Sequence, residues 1–183
     1  MEDMMLKEKN EAFIQNIKKV EPAYFDELKK GQHPEYFVLA CSDSRVSPSV
    51  ITQMPLGKLF VHRNIANQVA EQDESFSASL YYALKHLKVK KIVIQGHTDC
   101  GGVKAARNDN DESELRGWLG NIKRSLPEKG NSETCSLEDL TKINVLEQVK
   151  HLKEHPIYQE YGEGIEIIGC LFHVETGLIE WIN

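Results

Sequence analysis

Apolar positions in this chain come as short solid runs and as helical stripes. Tyr36-Phe37-Val38-Leu39-Ala40 is wholly apolar, the pattern of a strand buried on both faces of a parallel sheet. Residues 58–61 and 91–95 read as two further strands. Between them, residues 75–87 carry Phe76, Leu80, Tyr81, Ala83, Leu84 and Leu87 on one helical stripe. Strand, helix, strand at this spacing is a βαβ unit, so a parallel sheet is expected. Residues 165–174 and 178–182, separated by Glu175-Thr176-Gly177, predict a hairpin or a strand with a bent return.

The remaining segments add helices around that sheet. Residues 11–30 read as helix, interrupted near Glu21-Pro22, with Phe13, Ile14, Ile17 and Val20 at helical spacing. That stripe packs on its own domain or on a second subunit. Ser47-Pro48 resembles an N-cap followed by an N1 proline and opens a short helix through Ile51. Further helices are expected from Cys100 or Gly101 to Ala106, at 114–125 and at 137–153, with a polar loop at 108–113 and a break at 127–132. There is no internal repeat, low-complexity tract or linker. One domain over residues 1–183 is expected, with residues 1–35 as an N-terminal helical arm.

Charge and composition narrow the function classes. With 22 Lys and Arg against 28 Asp and Glu, the net charge is −6. No Lys/Arg block is present, so a nucleic-acid surface is disfavoured. No stretch approaches the roughly 20 apolar residues of a membrane span. Residues 1–10 are acidic and lysine-rich without an apolar core, unlike a signal peptide. The four cysteines are then expected to be reduced and available to metal, in a cytoplasmic enzyme.

The chemistry gathers beyond two strand ends. Cys41, Asp43 and Arg45 follow the run ending at Ala40, and Gly96-His97-Thr98-Asp99-Cys100-Gly101-Gly102 follows the run at 92–94. In open parallel sheets, function sits beyond the carboxyl ends of the strands. Cys41, His97 and Cys100 would make a zinc site with one position open, the pattern of catalytic rather than structural zinc. The competing reading makes the two cysteines small core residues and the histidine a hydrogen-bonded one. Asp43 and Arg45, two apart, share one side of an extended segment. Beside a metal, that carboxylate can accept a hydrogen bond from bound water or enter as a fourth ligand; otherwise the two form a structural ion pair. Cys135 and Cys170 lack such company and read as packing or tolerated residues. Among the other histidines, His62 stands out only because it also ends a strand.

Cys-Ser-Asp-Ser-Arg-Val (41–46), His-Arg-Asn-x-Ala-Asn (62–67) and Gly-His-x-x-Cys-Gly-Gly (96–102) together resemble the β-class carbonic anhydrases. Weaker agreement continues through Trp118-Leu119, residues 144–149 and residues 169–177. The resemblance implies an α/β fold, a four-stranded, mostly parallel sheet flanked by helices, assembled as a homodimer or homotetramer. It implies one Zn2+ per chain on Cys41, His97 and Cys100, Asp43 and Arg45 as catalytic dyad, and Gly101 and Gly102 at the substrate. The implied reaction is hydration of CO2 to bicarbonate and a proton by zinc-bound hydroxide. In the bicarbonate-inhibited subgroup a tryptophan and a tyrosine join the arginine of His-Arg-Asn in a second bicarbonate site. Here Val38 and Phe172 stand at those positions beside Arg63, which argues against that site and for an open zinc. Carbon disulfide hydrolases share these motifs, and a catalytically silent zinc protein of the same fold is the further alternative. A redox dithiol is disfavoured because Cys41 and Cys100 form no C-x-x-C pair.

Overall fold

The apolar run after Pro34 becomes the heart of the sheet. The computed structural model describes residues 2–128 and 134–182. In it, β1 (Tyr36–Cys41) lies between β2 (Leu59–Asn64) and β3 (Lys91–His97), parallel to both. β4 (Glu166–Phe172) continues in parallel beside β3, and β5 (Ile179–Trp181) runs antiparallel to β4. The order β2-β1-β3-β4-β5 holds five strands rather than four. The fifth is the return arm of the hairpin read at 165–182. Gly177, at φ +76°, takes the left-handed turn, and its N–H and that of Thr176 donate to the His173 carbonyl.

β1 is buried along its length after Tyr36, and alternate side chains divide between the two faces of the sheet. Phe37 and Leu39 of β1 join Ile92 and Ile94 of β3 on one face, where Phe76, Leu80, Ala83, Leu84, Val145 and Leu152 pack against them. Each of these side chains apart from Ala83 contributes about 1.5–3 kcal/mol by leaving water. Phe76 and Leu80 come from α4 (Glu74–Tyr81), which Asp73 caps by accepting the Ser75 and Phe76 N–H groups. The helix expected through residue 87 does continue, but residues Tyr82–Leu87 are π-helical and stop at Lys88, φ +52°. Short helices α3 (Pro48–Thr52) and α5 (Gly101–Arg107) follow the ends of β1 and β3, and α6 (Ser113–Arg124) follows α5. Val145 and Leu152 come from α7 (Leu137–Glu154), opened by a capping box in which Ser136 and Asp139 satisfy each other's backbone N–H groups. α8 (Pro156–Tyr161) leads into β4. The break expected at 127–132 lies partly outside the described residues.

The chain divides into two compact units at His33–Pro34. The first holds α1 (Glu2–Val20) and α2 (Tyr24–Leu28), with the Phe13 and Phe25 rings edge to face at 6.4 Å. α1 starts well before residue 11, and Pro22 lies in the turn before α2 rather than in its first turn. No helix among the described residues is long and apolar enough to cross a membrane.

Candidate metal centre

β1 and β3 are neighbours in parallel register, with Ala40 opposite Gln95, so Cys41 and His97 emerge side by side at the same end of the sheet. Past β3, Asp99 adopts φ +53° and turns the chain so that Cys100 lands at the start of α5. The Cys41 and Cys100 sulfurs are 4.0 Å apart, and with a His97 ring nitrogen all ligand atoms lie within 4.8 Å of one another. All three residues are buried, and Cys41 and Cys100 belong to a second apolar cluster with Val46, Ala66, Val103, Leu119, Ile122, Leu140 and Phe172.

The donor set fits a zinc ion on three counts. Two Zn–S bonds of about 2.3 Å at the tetrahedral angle would hold the sulfurs roughly 3.8 Å apart, close to the spacing observed. His97 Nδ1 donates to the Thr98 carbonyl at 2.9 Å, which leaves Nε2 as the lone-pair nitrogen. That Nε2 is buried without any hydrogen-bond partner. A buried acceptor left unpaired costs about 1–3 kcal/mol, and a metal is what would pair it.

Electrostatics favour one anionic sulfur here, that of Cys41. The Cys100 thiol, which donates to it, then the neighbouring His97 and backbone N–H groups including that of Ala66, hold the Cys41 thiol well below its ordinary range despite burial. The Cys100 thiol moves up, because Cys41 sulfur beside it and burial both disfavour a second charge; amides of Gly102 and Val103 oppose that shift. Burial works against a charged His97, but the Cys41 sulfur, the Thr98 carbonyl and Asp43 together outweigh it and raise the imidazole.

Asp43 stands at the rim. Its Oδ2 is 3.9 Å from His97 Nε2. Arg45 donates from Nε to Oδ1 (3.0 Å), from Nη2 to Oδ2 (2.8 Å) and from its backbone N–H to Oδ1 (2.9 Å). The pairing thus arises in a turn closed by the Val46 N–H on the Asp43 carbonyl, not on an extended segment. These bonds hold the Asp43 carboxyl far below the usual carboxylate range. Arg45 also reaches the Asp99 carboxylate (3.5 Å) and carbonyl (3.3 Å), which ties the dyad to the turn carrying His97 and Cys100.

Residues 36–179 match the family model described as carbonic anhydrase. A carbonic anhydrase of Emericella nidulans is 39% identical over 96% of this chain and 81% of its own length. One from Candida albicans is 34% identical over 95% of this chain and 66% of its own length. A solved structure of a tetrameric β-carbonic anhydrase from Sordaria macrospora superposes with a TM-score of 0.90 at 32% identity, covering 98% of this chain and 96% of that one. The chain belongs to the β-class carbonic anhydrases.

Other residues of this carbonic anhydrase take places the motifs did not specify. Gly102 is a close-packing point: a Cβ there would meet Ile65 Cγ2 at 2.6 Å and Ala66 Cβ at 3.1 Å, whereas one on Gly101 would meet nothing within 4 Å. Arg63 donates to the Cys41 carbonyl at 2.9 Å and to the Asp43 carbonyl at 2.6 Å, bracing the metal-side turn. His62 stacks edge-on to Phe76 and bonds Ser79, away from the three ligands. Cys170 is buried, which pushes its thiol up to about 12, and Cys135 packs on the second cluster. Two contacts had no signal in residue spacing. The Ala66 N–H donates to the Cys41 sulfur at 3.3 Å, and the Ala66 carbonyl accepts from Gln68 (2.8 Å) and Asn144 (3.1 Å).

Proposed function

We propose that this chain carries out the reversible hydration of carbon dioxide to bicarbonate and a proton, with Cys41, His97 and Cys100 holding one zinc ion. The orphaned His97 Nε2 facing two thiols carries this reading. When bound, zinc supplies Lewis acidity that lets water give up a proton near neutral pH, as in carbonic anhydrases with three histidine ligands.

The chain's own groups do the rest. Asp43, ionised and acceptor-only, takes a hydrogen bond from the reacting water and points the water's remaining lone pair at the substrate carbon. Arg45 engages both carboxylate oxygens, which keeps Asp43 an orienting group rather than a fourth ligand. The apolar cluster around the ligands suits an uncharged, linear molecule. We place it at the start of α5, beside the open side of Gly101.

The Sordaria macrospora relatives are tetrameric, and a homodimer or homotetramer is proposed for this chain. Four free cysteines support a reducing, cytoplasmic setting. Metal analysis with stopped-flow CO2 hydration tests the proposal. About one zinc per chain and hydration that rises from pH 6.5 to 9 is expected. Zinc without hydration would transfer the reading to carbon disulfide hydrolysis or to a silent zinc protein; no zinc would remove it.

A further inference from the structure

We infer that Trp118 is a positioning residue for the metal centre: by holding the Ile65 carbonyl, it aims the Ala66 N–H at the Cys41 sulfur. This inference rests on the zinc reading above. A trans peptide is planar, and its C=O and N–H point in opposite directions. The peptide joining Ile65 to Ala66 is gripped at both ends. Trp118 Nε1–H donates to the Ile65 carbonyl at 2.9 Å, and on the opposite side the Ala66 N–H meets Cys41 Sγ at 3.3 Å. The grip also polarises the peptide, because a hydrogen bond accepted by the carbonyl makes the N–H a better donor.

The turn needs holding. Ala66 sits at φ +62° and Asn67 at φ +49°, left-handed conformations that strain a residue bearing a Cβ, alanine more than asparagine. Gln68 and Asn144 secure the next carbonyl, that of Ala66, and Gln68 Nε2 also donates to Asn144 Oδ1 at 2.8 Å. Gln68 and Asn144 are buried, so this half of the clamp is shielded from water. Trp118 supplies a side-chain bond to the carbonyl of the peptide that faces sulfur.

The consequence is electronic as well as geometric. A thiolate that accepts an N–H bond donates less charge to its metal, so the metal stays the stronger Lewis acid. With two thiolates among three ligands, that withdrawal matters more than it would with imidazoles.

Trp118→Phe tests this, because it keeps an aromatic ring and deletes the donor. Wild type and variant are compared as zinc proteins and after cobalt(II) replacement. The expected result is retained metal, a sulfur-to-cobalt charge-transfer band moved to lower energy, and CO2 hydration kcat/KM reduced about 10- to 100-fold with its pH profile displaced upward. Asn144→Leu, which loosens the same turn from its other end, should move the band in the same direction. Thr141→Val, on the buried face of α7 but with no bond to the turn, should leave it unmoved. An unchanged band in Trp118→Phe overturns the inference, as does loss of fold in that variant, which would assign the indole N–H to stability alone. Wild-type protein without metal or without a thiolate band would instead overturn the zinc reading.

Discussion

Two adjacent glycines offer a sharp physical contrast. An alanine Cβ at Gly102 would lie 2.6 Å from Ile65 Cγ2, 3.1 Å from Ala66 Cβ and 3.4 Å from Ile122 Cδ1. Ile65 is 38% exposed and can swing its side chain outward. Ala66 has no rotamer to change, so its backbone must yield. Overpacking of this kind costs about 1–3 kcal/mol, and because Ile65 can swing aside while Ala66 need shift only by tenths of an ångström, Gly102→Ala falls in the lower half of that range. For a chain of this size the loss corresponds to a Tm fall of roughly 2–4 °C per kcal/mol. The same displacement lengthens the Ala66 N–H contact to Cys41, so hydration should fall as well. Gly101→Ala meets no atom within 4 Å and should stay within about 0.5 kcal/mol of wild type. Thermal unfolding at matched protein concentration, alongside stopped-flow hydration, measures both. Gly102→Ala as stable as wild type, or Gly101→Ala the more damaged of the two, would refute the packing argument.

Four further outcomes are expected. His97→Ala should abolish stoichiometric zinc by metal analysis, since it removes the buried lone pair. Asp43→Asn should retain zinc but lose most hydration, because an amide can present N–H where the carboxylate only accepts; wild-type turnover would remove Asp43 from the chemistry. Ser136→Ala deletes the cap of α7 and should cost about 1 kcal/mol, read as a lowered urea midpoint. His173 Nε2 lies 2.9 Å from Glu180 and Nδ1 3.3 Å from Glu175, with Lys142 and Glu138 beside them. The Glu180 hydrogen bond raises its imidazole above the ordinary range. A raised folded-state pKa stabilises below the unfolded value near 6.5 and fades as pH climbs through the folded one. His173→Gln should therefore cost about 0.5–1 kcal/mol near pH 5.5 and almost nothing near pH 8.5, seen in urea unfolding at the two pH values.

The parts legible in the sequence share one property: their signal is local. A solid apolar run bounded by Cys41, and another bounded by Gly96-His97, announce strand ends by themselves, and the three candidate ligands follow. The hairpin at 165–182 was readable from Gly177, although the motif resemblance implied a four-stranded sheet, one strand fewer than the five present. What escaped depends on bonds that spacing does not encode. Residues 2–10 form helix because Glu, Lys and Met favour it, yet they carry no apolar stripe to reveal it. The shift to π-helix at Tyr82 changes hydrogen-bond partners without changing the apolar pattern. Asp43 and Arg45 do pair, but through a turn that the Arg45 backbone N–H helps close.

The same distinction explains why the metal centre is only half visible in its motifs. Two thiolates bring more charge to a zinc ion than imidazoles do, and a useful Lewis acid needs some of it drawn back. Cys100 faces amides of Gly102 and Val103 at the start of α5, and Cys41 faces the Ala66 N–H. These donors are all backbone groups, present at every non-proline residue, so no letter marks them. What the sequence can mark is whatever aims them. Gly102 lets the 65–66 turn come close, Trp118 fixes the peptide that faces Cys41, and Gln68 with Asn144 holds the strained residue after it. On the proposed zinc reading, side chains that never touch the metal set how strongly it can act, and residues outside the three candidate ligand positions become part of the reaction's requirements.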